Sequence, residues 1–85
     1  MLFRSQNYEV RIKVQLVTIN DIHNFAFACG RCKCTVIAQH NEYSVNAKSI
    51  LGLLSLDLSQ PVDIIFKGLK ETDNLSEFSQ WIVAS

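Results

Sequence analysis

Between residues 8 and 31 the spacing of apolar side chains changes from every second residue to every third or fourth, which dictates two different elements in succession. In "YEVRIKVQLV", Tyr8, Val10, Ile12 and Val14 fall on one face, and Glu9, Arg11, Lys13 and Gln15 on the other. Side chains alternate across a strand, so the segment reads as a half-buried β-strand. The polar break "TIND" then offers Thr18, Asn20 and Asp21 as N-caps, whose short side-chain oxygens accept from the open N–H groups of a first helical turn. Ile22, Phe25, Ala26, Cys29 and Cys32 follow at helical steps. They predict an amphipathic helix over roughly residues 19–31, with Cys29 and Cys32 on the core side and Gly30 placed to help end it.

A strand and a helix with one dry face each must bury those faces against something, and the remaining segments supply it. "CTVIAQHNEYSVN" reads as two short strands around a polar turn near His40–Glu42. Beyond Ser49, Ile50, Leu51, Leu54 and Leu58 recur at helical steps. Gly52 weakens that pattern, so a short helix with an exposed apolar flank is expected. "PVDIIFKG" is a strand, with Pro61 at its start, where a missing N–H does little harm. In "ETDNLSEFSQWIV", Asp73 or Asn74 is the cap and Leu75, Phe78 and Ile82 the stripe of a closing helix. The expected fold is α+β, an open-faced β-sandwich in which a four-stranded antiparallel sheet is covered on one face by three helices. Residues 1–85 make a single domain.

Composition narrows the function classes. Hydrophobic residues are 48% of the chain, enough for a core without a metal or a disulfide framework. Lys+Arg and Asp+Glu are 8 each, and this balance argues against direct nucleic-acid binding, which draws on a basic stripe. No run of 18 apolar residues exists and "MLFRSQNYEV" lacks the features of a signal peptide, so no membrane association is expected and the expected compartment is the cytoplasm. Cys29, Cys32 and Cys34 are odd in number and crowded into "CGRCKC", unlike a secreted disulfide scaffold. Their C-x-x-C raises zinc or redox chemistry, but a structural zinc site takes four ligands, usually from two separated knuckles. Only His23 and His40 are left as soft candidates, neither with a second ligand beside it. The reading assigns no metal and no cofactor: two buried helix cysteines plus one strand cysteine. No Ser-His-Asp, paired-carboxylate or phosphate-loop arrangement occurs, so the chain is not read as an enzyme.

Residues 43–58, with "VNAKSILGLLSLDL", resemble the regulatory segment of HPr, the small phosphocarrier of the bacterial sugar phosphotransferase system. The family's segment carries a serine preceded by Lys and followed by Ile, a large apolar residue, Gly and then "SL". Here these are Lys48, Ser49, Ile50, Leu51, Gly52, Ser55 and Leu56. "VNAKSI" looks especially like the catabolite-repression paralogue of HPr, which lacks the active-site histidine. More weakly, the resemblance spans nearly the whole chain, and it implies an HPr-like fold.

The resemblance also implies a histidine in a Gly-Leu/Ile-His-Ala-Arg-Pro turn at the start of the first helix. An ungapped count back from Ser49 puts its place at Thr18, with the arginine's near Asn20 and the proline's near Asp21. None of those three types is there. His23 is the fallback acceptor, reading "IHNFA" as a decayed version of the turn, at the cost of a five-residue shift. His40 is the other histidine that a phosphocarrier reading has to consider.

Serine is among the best N-caps, worth about 0.5–2 kcal/mol over alanine, and this alone explains a serine at position 49. The motif adds a second role, regulatory phosphorylation of Ser49 by an HPr kinase/phosphorylase-like enzyme. A phosphate there would sit beside Lys48 and an apolar patch of Ile50, Leu51 and Leu54, which a LacI-type catabolite regulator or another regulatory protein would read. Asp57 adds a negative charge near that face. The expected protein is thus a regulatory binding module of carbon catabolite repression, with enzyme I and sugar permease subunits disfavoured as partners. The alternatives are a divergent phosphocarrier using His23 and an HPr-fold interaction protein with no phosphorylation.

Overall fold

The computed structural model describes residues 8–69 and 74–83. The alternating segment forms β1 (Tyr8–Val14), and the helical spacing forms α1 (Ile19–Arg31), within the bounds the sequence sets. Next come β2 (Thr35–His40), β3 (Tyr43–Asn46), α2 (Ile50–Leu54) and β4 (Val62–Leu69), and then a single 3-10 turn over Ser76–Phe78.

The strands make one antiparallel sheet in the order β1-β4-β2-β3, with β4 in the interior. The fold is α+β with an open sheet. Register stacks apolar rows on one face: Val10, Phe66 and Val36 form one row, and Ile12, Ile64 and Ala38 the next. Opposite them, Lys13 pairs with Asp63 at 3.7 Å on the open face. Ile65 is buried there between Arg11 of β1 and Ile37 of β2. Two local devices set the strand geometry. Asn41 adopts φ 56° in the two-residue β2–β3 loop, a conformation asparagine tolerates better than most residues. Gly68, at φ +91°, is the extra residue of a bulge where Lys67 faces Glu9 and Leu69 faces Tyr8.

On the apolar face α1 lays down Ile22, Phe25, Ala26, Ala28 and Cys29, and α2 contributes Leu53, fully buried. The C-terminal segment closes the core with aromatic rings. Phe78 stands edge-on to Phe25 at 5.6 Å and to Phe66 at 5.2 Å, and Trp81 stands edge-on to Phe25 at 5.2 Å. The chain then runs beside the outer edge of β1. Gln15 N–H donates to Trp81 O and Val83 N–H to Lys13 O, each at 2.9 Å, so part of an exposed strand edge is paired.

Several expectations change. The described part of the C-terminal segment is a 3-10 turn rather than a helix, because Trp81–Val83 leave helical geometry to pair with β1. Trp81, 6% exposed, fills the core in place of Ile82 at 43%. Asn74 accepts from Ser76 N–H in a local turn, and Asp73 lies outside the described residues. Gly30 is an exposed residue within α1 and does not end it; Cys32 is the C-cap, in extended conformation and half-buried rather than in the core. Cys34 is buried just before β2 begins.

Candidate functional site

The residues the sequence singles out come from the start of α1 and from the β3–α2 turn. Thr18 is the N-cap of α1: its Oγ1 accepts from Asp21 N–H at 3.0 Å. Asp21 answers by accepting from Val17 N–H at 3.0 Å and Thr18 N–H at 3.1 Å. This is a capping box, with aspartate in the place usually held by glutamate. Hydrogen bonds from Val17 and Thr18, and more weakly from Trp81 and the Thr18 hydroxyl, hold the Asp21 carboxyl below its ordinary range. The N–H groups that would greet an anion here already face a carboxylate of the chain itself.

At the other element, Asn46 shapes the turn. Its Oδ1 accepts from Lys48 N–H at 2.9 Å, its carbonyl accepts from Ser49 N–H at 3.0 Å, and Ala47 N–H donates to Val36 O at 2.9 Å. Ser49 is then the N-cap of α2, its Oγ accepting from Gly52 N–H at 3.1 Å. The serine is half-buried at the rim. Gly52 fits because the turn passes close: a Cβ there would lie 3.1 Å from Asn46 O.

Lys48 takes a role the sequence did not reveal. Its Nζ donates to Cys32 O at 2.9 Å, so the ammonium closes the C-terminal end of α1, where the helix dipole favours a cation. Lys48 therefore ties the two helices together and is not simply a solvated side chain. Between them lies a cleft of about 360 Å³, lined by His23, Phe27, Arg31, Lys48 and Ile50 among others. His23 thus faces the same cleft as the neighbours of Ser49, from an exposed position one turn into α1.

The apolar patch is only partly the expected one. Leu51 is 80% exposed and Leu54 47%, whereas Ile50 is half-buried and packs against the core. Phe27 joins the exposed apolar residues at 71%, with the Arg31 guanidinium 5.1 Å from its ring centroid. Arg31 in turn pairs with Glu77. The sequence carried a faint signal for Phe27, which falls off the Ile22–Phe25–Cys29 stripe. Asp57 is exposed; hydrogen bonds from the Ser59 hydroxyl and N–H, and more weakly the charge of His40, keep its carboxyl below the ordinary range. His40 ends β2, away from the α1–α2 cleft. A larger cleft of about 500 Å³ opens where β3 departs from β2, and it shares Lys48 with the first.

Among the described residues no three His, Cys, Asp or Glu side chains gather as a metal-ligand set, and no helix is long and apolar enough to cross a membrane. No protein-family model matches the chain, and no curated protein matches it either.

Proposed function

We propose that this protein is an HPr-like regulatory module that carries no phosphocarrier histidine, is phosphorylated on Ser49 by an HPr kinase/phosphorylase-like enzyme, and is then bound by a LacI-type catabolite regulator. The observation that carries the reading is the placement of Ser49, half-buried at the head of α2 beside Leu51 and Leu54, which stand out into solvent. A hydroxyl at the border of an apolar patch is a place where one added charge changes what a partner meets. The sheet with helices against one face agrees with the resemblance. So does Thr18 at the N-cap of α1, where the ungapped count places the absent histidine.

Phosphorylation forms the bond from Ser49 Oγ to the γ-phosphorus of ATP and releases ADP, the hydroxyl proton passing to a base on the kinase. The product carries about −1.5 to −2 charges at neutral pH. Ser49 Oγ already accepts from Gly52 N–H, so backbone N–H groups of the first turn face the modified side chain and α2 does not have to unwind. Lys48 is engaged with Cys32 O, which leaves the phosphate available to a partner's arginine. Hydrogen bonds to charged groups contribute about 1.5–3 kcal/mol, so binding should be stronger after modification by about 10- to 150-fold.

His23 supports a second reading, phosphate transfer from enzyme I, because it shares a cleft with the cations Arg31 and Lys48. Intact-mass spectrometry separates the two. One sample receives HPr kinase/phosphorylase and ATP, the other enzyme I and phosphoenolpyruvate. A single phosphate in the kinase sample alone, abolished by Ser49→Ala, supports the regulatory reading. A label from phosphoenolpyruvate that is lost in His23→Ala replaces it with the phosphocarrier. If neither sample gains mass, Ser49 is a helix cap and nothing more.

A further inference from the structure

We propose that Cys29 and Cys32 form a reversible dithiol–disulfide pair at the C-terminal end of α1, oxidised by low-molecular-weight disulfides and coupled through Lys48 to the turn that carries Ser49. The pair stands whether or not Ser49 is ever phosphorylated.

The geometry begins with the backbone. Cys32 N–H donates to Cys29 O at 3.0 Å, closing the last turn of α1. Residues three apart on a helix have Cα atoms about 5 Å apart and side chains on one face. That separation lies inside the range of about 4.4–6.8 Å that disulfides span. Cys32 is the C-cap, with φ −78° and ψ 138°, so its side chain can rotate without breaking the helical ladder behind it. Its Sγ lies 3.8 Å from Ala28 O, one turn back along α1.

The two thiols differ in access, and this assigns their roles. Cys32 is half-buried at the helix end, whereas Cys29 is fully buried. Burial, with Cys32 and Cys34 close by, pushes the Cys29 thiol well above its ordinary range, so it does not react with oxidants on its own. Cys32 is the attacking group. Its thiolate displaces one half of a small disulfide such as oxidised glutathione: an S–S bond to Cys32 forms, the reagent's S–S bond breaks, and the departing thiolate takes a proton. Cys29 then gives up its proton and attacks Cys32 Sγ, expelling the second small thiol. Two protein S–H bonds are lost and two reagent S–H bonds are gained. Cys32 also carries the carbonyl that accepts from Lys48 Nζ, and Lys48 directly precedes Ser49, so a shift of Cys32 on pairing would be passed to that turn. The redox state of the pair thereby reaches the Ser49 turn.

The test uses the full chain equilibrated in mixtures of reduced and oxidised glutathione, alkylated, and mapped by mass. Trypsin cuts after Arg31 and Lys33, so each cysteine leaves on its own peptide and the pairing is unambiguous. The expected product is a monomer lighter by two hydrogen atoms, with Cys29 linked to Cys32. It is unchanged in Cys34→Ala and absent in Cys32→Ser, and a matching thermal transition for each variant shows that it folds. A link to Cys34, a glutathione adduct that never resolves, a cross-linked dimer or no oxidation at any ratio would overturn the pairing. Faster amide exchange at Lys48 and Ser49 in the oxidised form is expected, and unchanged exchange would overturn the coupling.

Discussion

Two glycines in helices give opposite predictions from the same substitution. Replacing glycine by alanine inside a helix normally stabilises by up to about 1 kcal/mol, because the unfolded chain loses freedom. At Gly30 an added Cβ meets nothing within 4 Å, so Gly30→Ala should gain about 0.4–1 kcal/mol. At Gly52 the added Cβ would lie 3.1 Å from Asn46 O and 3.4 Å from the Cβ atoms of both Ser49 and Val45. Asn46 O cannot retreat freely, because it accepts from Ser49 N–H at 3.0 Å. Overpacking of this kind costs about 1–3 kcal/mol, which offsets the helical gain. The two variants should therefore differ by about 1–3 kcal/mol, with Gly52→Ala the less stable. In a domain of this size each kcal/mol moves Tm by about 4–8 °C, so the gap is visible by calorimetry or by urea titration with an unchanged m-value. Equal stabilisation by both substitutions would refute the close approach of the β3–α2 turn to α2, and with it the account of how Ser49 is held.

Further consequences concern the start of α1, the core and the helix tie. Thr18→Ala should cost about 0.5–2 kcal/mol by urea titration, the usual loss for an N-cap. Asp21 has a lowered folded pKa, so its stabilisation is fully present above the ordinary carboxyl value of 3.8 and is lost as pH falls through the lower folded value; Asp21→Asn should flatten that acid limb of the stability curve. Phe78→Ala removes a fully buried ring that meets both Phe25 and Phe66, a loss of about 3–5 kcal/mol that should leave a partly unfolded chain by circular dichroism. Lys48→Met keeps the stem and deletes the bond to Cys32 O; a loss of about 0.5–1.5 kcal/mol is expected, and no loss would mean that the tie contributes nothing.

Where one local rule decided an element, the sequence was sufficient. Period-two spacing gave β1, and the polar N-cap candidates with the helical stripe after them gave α1 within its observed bounds. Ser49 as the N-cap of a short helix was legible for the same reason. What escaped was tertiary. The C-terminal segment looks helical by its Leu75–Phe78–Ile82 spacing, but pairing with β1 and the fit of Trp81 against Phe25 win over that local preference. Ile50 looked as available as Leu51, yet the direction in which α2 meets the sheet buries one and exposes the other. Lys48 reaches Cys32 O and shares a cleft with Phe27 only because α1 ends beside the β3–α2 turn, a juxtaposition that no spacing in the chain encodes.

The most direct test of the regulatory reading is a calorimetric titration of a LacI-type catabolite regulator with this chain, phosphorylated on Ser49 and unmodified. The account predicts binding that strengthens by at least about tenfold on phosphorylation and is lost in phosphorylated Leu51→Asp, whose substitution falls on an exposed side chain 80% open to solvent. Equal affinity of the two forms, or binding indifferent to Leu51, would contradict it.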